Sequence, residues 1–131
     1  MQLNLKNKTF RSPCSISSTL EIIGDKWTLL IVRDALFKGF TSFTQFRNSS
    51  EKIASNILTD RLDKLVSNGI LTKNKSLTNQ LKYDYKLTDT GRNLEPILRA
   101  LGKWGFESIE GTNNVKDIIL LYKEKTKHNK V

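Results

Sequence analysis

The stretch from Phe43 to Leu87 is compatible with very few folds. Phe40-Thr41-Ser42-Phe43-Thr44-Gln45-Phe46 begins a short helix, with Thr41 or Ser42 as its cap and Phe43 and Phe46 facing inward. A polar turn follows, Asn48-Ser49-Ser50-Glu51-Lys52. Helical periodicity then runs from Ala54 to Asn68. Leu58, Leu62, Leu65 and Val66 form one stripe with Ile57 at its margin, while Ser55, Asn56, Thr59, Asp60, Asp63, Lys64 and Ser67 take the other faces. Asn68-Gly69 supplies a left-handed stop. Two short extended runs come next, Ile70 to Lys73 and Lys82 to Leu87, the second alternating polar with aromatic or apolar residues. The polar loop Ser76 to Gln80 between them makes the pair a β-hairpin.

The flanks are helical. Leu20, Ile23, Trp27, Leu30 and Ile31 fall at spacings of three and four, interrupted at Gly24-Asp25. Asp25 caps a helix from Lys26 to Phe37, whose second apolar face, Leu29, Val32 and Leu36, predicts a central, buried position. Thr88-Asp89 caps a helix carrying Leu94, Ile97, Leu98, Leu101, Trp104 and Ile109. Pro96 predicts a kink or break in it, because proline removes a backbone bond. A last helix puts Val115, Ile118, Ile119 and Tyr122 on one face, ahead of a basic tail that holds His128.

The fold class read from this order is mainly α with a small β-hairpin wing: a winged helix-turn-helix. Residues 1–16 read as an N-terminal arm, 17–91 as the DNA-binding body and 92–131 as C-terminal helices contributing to a homodimer. The apolar stripes of those helices exceed what one small core needs, and spare apolar faces pair with another chain.

Charge agrees with a nucleic-acid partner. Lys and Arg number 22 against 13 acids, giving a formal net charge of +9 in 131 residues. A domain this basic carries the electrostatic footprint of a polyanion binder, although a solubilising surface has the same composition. No apolar run has the length of a bilayer span, and the first residues lack a signal-peptide core, so a cytoplasmic protein with no membrane partner is expected. The lone cysteine, Cys14, makes neither an internal disulfide nor a cysteine-based zinc site. One His and one Cys far apart, without a phosphate loop or paired carboxylates, predict no enzyme, metal or cofactor.

Double-stranded DNA is the expected partner. The second helix of a helix-turn-helix lies in the major groove with its first turns at base edges. Ser55, Asn56 and Thr59 occupy those turns here, and asparagine pairs bidentately with adenine. Alone, these three would read as a solvated face; ahead of a basic wing they read as base contacts. Arg61, Lys64 and Lys52 are in reach of phosphates, with Asp60 or Glu51 as the alternative partner of Arg61. Lys73, Lys75, Asn79 and Lys82 place the hairpin along the backbone beside the minor groove. Asp60 and Asp63 weaken the field of the helix and leave more of the specificity to base edges. The rival reading is a structural or protein-interaction dimer with nonspecific DNA affinity.

Several linked motifs resemble the HxlR-type branch of winged-helix regulators related to MarR. They are Ile23-Gly24-Asp25-Lys26-Trp27 downstream of a cysteine, Phe43-x-x-Phe46, and Leu58-Thr59-x-Arg61-Leu62-x-x-Leu65-x-x-x-Gly69-Ile70-Leu71. Tyr85-x-Leu87-Thr88-x-x-Gly91 and Leu94-x-Pro96-x-Leu98 continue the match, which covers 14 to about 105. The resemblance implies a homodimeric transcription factor, often a repressor, which sometimes senses an electrophile or oxidant through the upstream cysteine, here Cys14. Two departures stand out: the wing lacks the proline pair common before its second strand, and Pro13 precedes Cys14 where the family cysteine is commonly followed by proline.

Overall fold

The computed structural model describes residues 8–120. Its elements are α1 (Ser15–Ile23), α2 (Thr28–Phe37), α3 (Phe43–Arg47), α4 (Ser55–Ser67), β1 (Leu71–Lys75), β2 (Tyr83–Leu87), α5 (Asp89–Arg92) and α6 (Glu95–Ser108). Residues 115–120 are helical again. Tyr122, His128 and the basic tail lie outside the described residues.

Each boundary has a local cause. The α2 helix starts at Thr28, two residues later than the sequence predicts, with Trp27 as the cap residue. Asp25 still closes this end: its carboxylate accepts from the N–H groups of Trp27 (3.0 Å) and Thr28 (3.1 Å). Ser42 and Gln45 form a reciprocal capping box on α3. At the end of α4, Gly69 adopts φ 73°. Ile70 N–H reaches Leu65 O at 2.9 Å and Gly69 N–H reaches Val66 O at 3.1 Å, the paired bonds of a Schellman stop. The expected interruption after Thr88 is a break between α5 and α6 at Asn93-Leu94. Pro96 then sits in the first turn of α6, where its missing N–H costs nothing.

The core lies between α2, α3, α4 and the root of the hairpin. Ile31, Val32, Phe46, Leu58, Leu62 and Leu65 are buried almost completely, and Ile70, Leu71 and Tyr85 close the cluster from the hairpin side. Leu29 and Leu36, on the second face of α2, are half-buried and pack against it. The hairpin is antiparallel, pairing Leu71 with Leu87, Lys73 with Tyr85 and Lys75 with Tyr83. A bridge between Ser42 and Asp84, with Tyr85 N–H donating to Thr41 O at 2.7 Å, ties β2 to the start of α3. Helix-turn-helix and wing therefore form one body.

In α6 no residue is buried. Its apolar residues Ile97, Leu101 and Trp104 are exposed, Trp104 to 65%. Ile16 and Leu20 of α1 are exposed as well and line one apolar groove with Ile97 and Leu101. Trp104, on the apolar stripe read from sequence, is not in the core of this chain, whereas Trp27 packs against the core cluster.

Candidate nucleic-acid interface

Burial of Leu58, Leu62 and Leu65 fixes the rotation of α4 and turns its opposite side to solvent. Ser55, Asn56 and Thr59 are all exposed on the first turns of that helix. No carboxylate lies in the first turn. The Thr59 hydroxyl donates to Ser55 O at 2.9 Å. Thr59 therefore presents its methyl group and an oxygen acceptor rather than a donor, whereas Asn56 is exposed on the first turn.

Arg61 is held away from the free solvent. Its Nε donates to Asp25 Oδ2 at 2.8 Å, it also bonds Asp60, and its side chain is 24% exposed. The sequence offered Asp60 or Glu51 as alternatives to phosphate; the geometry selects Asp60 and adds Asp25, which lies 36 residues away in sequence. Burial opposes ionisation of Asp25, but hydrogen bonds from the Thr28 hydroxyl, Arg61 and the N–H groups of Trp27 and Thr28 outweigh it, lowering its pKa from 3.8 to about 2. The same contact with Asp25 raises the pKa of Arg61. Lys64 remains largely exposed and pairs with Asp60 at 3.2 Å along the helix.

Glu51 belongs to a different ion pair. Arg33 of α2 reaches both its oxygens, at 2.6 and 3.0 Å. The Arg33 hydrogen bond comes first among the causes that hold the Glu51 carboxyl below its ordinary pKa. Ser49, read from sequence as part of a polar turn, is buried; its hydroxyl accepts from Arg33 at 3.3 Å and donates to Glu51 at 3.2 Å. Asp34, also buried, lies 3.0 Å from Arg33 and 3.8 Å from Lys38. This network staples the turn between α3 and α4 to α2. Sequence reasoning missed it because a charged residue on an amphipathic helix carries no sign of its distant partner. Lys52 stands exposed in that turn with φ 54°.

On the wing, Lys73 lies over the Tyr83 ring, 4.4 Å from its centroid, and 5.9 Å from that of Tyr85. Lys75 and Lys82 are exposed where the strands end. Asn79 is exposed too, and its Oδ1 accepts from Leu81 N–H at 3.0 Å, so its side chain shapes the tip. Leu77 and Leu81 project from the tip almost wholly into solvent, a feature that a reading for polar residues passes over.

Cys14 is an exposed free thiol at the N-cap of α1. The nearby cations have other partners: Arg11 pairs with Glu21 at 3.7 Å, and Lys26 lies over the Trp27 ring at 5.1 Å. Among the described residues no group of His, Cys, Asp and Glu could hold a metal ion, and no helix is long and apolar enough to cross a membrane.

The HxlR-like helix-turn-helix family matches residues 22–113. The uncharacterized HTH-type transcriptional regulator YdeP of Bacillus subtilis is 34% identical over 70% of this chain and 71% of its own length. YybR, another uncharacterized regulator of that class from the same organism, is 32% identical over 79% of this chain and 87% of its own. The crystal structure of PA1607 superposes with a TM-score of 0.72 at 37% identity, covering 80% of this chain and 73% of that one. The reduced form of the redox regulator HypR superposes with a TM-score of 0.61 at 30% identity, covering 74% and 95%. A two-helix unit braced by ion pairs, a hairpin bonded to its first helix and sequence kinship over most of the chain converge: this protein belongs to the HxlR-like family of helix-turn-helix transcriptional regulators.

Proposed function

We propose that the protein is a sequence-specific regulator that binds a pseudo-palindromic operator as a homodimer and represses from it. The observation that carries this reading is the uncovered first-turn face of α4, where Ser55, Asn56 and Thr59 stand in solvent above a buried leucine stripe. In the major groove, Asn56 reads an adenine edge and Thr59 packs its methyl against a thymine. Lys52, Lys64, Lys75 and Lys82 contact phosphates, with Lys73 and Asn79 holding the shape of the wing. Arg61 is a positioning residue: committed to Asp25 and Asp60, it fixes α4 against the start of α2.

The second chain is supplied by the face that one chain leaves uncovered. Ile16 and Leu20 of α1 join Ile97, Leu101 and Trp104 of α6 on that face, which a second copy covers by two-fold symmetry. Residues 17–91 serve as the DNA-binding body, and the helices from 92 onward supply most of the interface. Cys14, next to Ser15 and Ile16 of the groove, is the reactive centre for an oxidant or electrophile. Kinship with HypR supports this role. A modified thiol there puts a polar or bulky group at the dimer face and changes the separation of the two α4 helices.

Mobility shift with the DNA upstream of the protein's own coding sequence tests the reading. Retention of that duplex over a scrambled one of equal length is the expected result. Equal retention of both would leave a dimer with nonspecific DNA affinity. For Cys14, wild type and Cys14→Ser are compared before and after graded peroxide or quinone. Loss of binding confined to wild type is expected, and an equal response of the two proteins removes Cys14 from the mechanism.

A further inference from the structure

The hairpin ends in two leucines that the fold does not use. Leu77 is 97% exposed and Leu81 92%, the largest exposures among the large apolar side chains described. They do not sit on a shapeless loop. Ser76 N–H donates to Lys82 O at 2.9 Å, Lys82 N–H to Asn79 O at 3.0 Å, and Leu81 N–H to Asn79 Oδ1 at 3.0 Å. The tip is thus a hydrogen-bonded turn that presents both leucines beyond Lys75 and Lys82. Replacing either leucine removes no buried contact, so folding gives no reason for their presence.

Their surroundings indicate what they meet. On the hairpin, Lys73, Lys75 and Lys82 flank the tip, and the nearest acidic residue is Asp84 in β2, across from Asn74. The finger is therefore cationic along its sides and apolar at its end. A surface complementary to it is anionic at two edges and apolar between them. The minor groove of duplex DNA takes that form where a base step opens: phosphates line both rims, and the apolar faces of the bases are exposed between their polar edges. The hairpin follows α4 directly through Gly69-Ile70, so with α4 set in the major groove the hairpin stands beside the adjoining backbone, within reach of the next groove.

We propose that Leu77 and Leu81 form an apolar wedge that enters the minor groove beside each half-site and partly unstacks a base step there. The step opened is a flexible pyrimidine–purine step, because such steps cost least to deform. The wedge bends the duplex by roughly 20–90° toward the major groove. Specificity at that position comes from deformability, without a hydrogen bond to a base. The proposal rests on the operator-binding reading above.

The test uses duplexes that the wild-type protein retains from a random-sequence pool. 2-Aminopurine at the step facing the wing reports unstacking, and end-to-end energy transfer reports the bend. Wild type and the Leu77→Met/Leu81→Met pair should both raise the base emission and bend the duplex. The Leu77→Ser/Leu81→Ser pair, with an unchanged thermal melt, should do neither. It should lose on the order of tenfold in affinity for the retained duplex, the effect of about 1.4 kcal/mol, and keep its affinity for random DNA. If the serine pair matches wild type in affinity, bend and emission on a duplex that wild type selects, the wedge is wrong and the operator reading stands. If the serine pair changes the sedimentation of the free protein, or wild type prefers phosphatidylglycerol vesicles to its retained duplex, the leucines dock elsewhere and the wedge is likewise overturned. If wild type selects no duplex at all, the operator reading fails and takes the wedge with it.

Discussion

In the proposed reading Asn56 meets a base edge and Lys75 a phosphate, and substitutions tell the two contacts apart. Asn56→Ala should cost about 1–3 kcal/mol on the preferred operator, relax preference at one base position, and leave random-DNA binding nearly unchanged. Lys75→Ala should weaken operator and random duplex alike and lower the salt slope by about one contact per protomer. Binding titrations at several salt concentrations measure both, and identical profiles for the two variants would mean that helix and wing are wrongly assigned. Asp25 gives a test on stability. Its pKa is depressed to about 2, so its contribution is complete above the unfolded-state value near 4 and is lost as pH falls between those values. Asp25→Asn keeps a capping oxygen but loses the charge opposite Arg61, and should cost about 0.5–1 kcal/mol near neutrality. The melting curves of the two proteins should converge as the pH drops through that window. A stability difference that persists unchanged in acid would show that the carboxylate charge does not hold the junction of α2 and α4.

At the level of elements, local chemistry made the fold legible. The leucine stripe of α4, the Asn68-Gly69 stop and the alternation of Tyr83 and Tyr85 each act within a few residues; α4 and β2 stand within a residue of the bounds read from sequence, while β1 runs on from Lys73 to Lys75. What was not legible acts between elements. Nothing in the spacing of Arg33, Ser49 and Glu51 announces that a bidentate ion pair staples a turn, and nothing near Arg61 names Asp25 as its partner. Proline chemistry was legible as an interruption but not to the residue, since Pro96 sits in the first turn of α6 rather than kinking it. One packing contact invites a direct test. A Cβ on Gly91 would lie 2.4 Å from Ile70 O, the same carbonyl that Thr88 N–H bonds at 3.0 Å. Gly91→Ala should force α5 away from the hairpin root and destabilise the chain by about 1–3 kcal/mol, the usual range for overpacking. Chemical denaturation measures this, and a neutral result would mean that α5 is free to shift.

For the whole molecule, the reading proposed above assigns the exposed apolar face of α1 and α6 to a second copy and the polar face of α4 with the basic wing to DNA. Leu101→Asp should place a charge on the uncovered face, where no fold contact buries it in a single chain. The expected outcome in sedimentation is a shift from dimer to monomer with the melt of the body retained, and a variant that remains dimeric would move the interface elsewhere. Operator affinity should also fall by roughly a thousandfold between about 50 and about 200 mM salt if six phosphates are engaged. Hydroxyl-radical footprinting on a duplex retained from a random pool tests most directly whether two α4 helices read one operator. Two protected patches related by approximate two-fold symmetry are expected, with centres about 34–36 Å apart along the duplex or a multiple of that, from one helical turn per half-site. A single patch, or uniform protection independent of sequence, would contradict operator reading by a symmetric dimer.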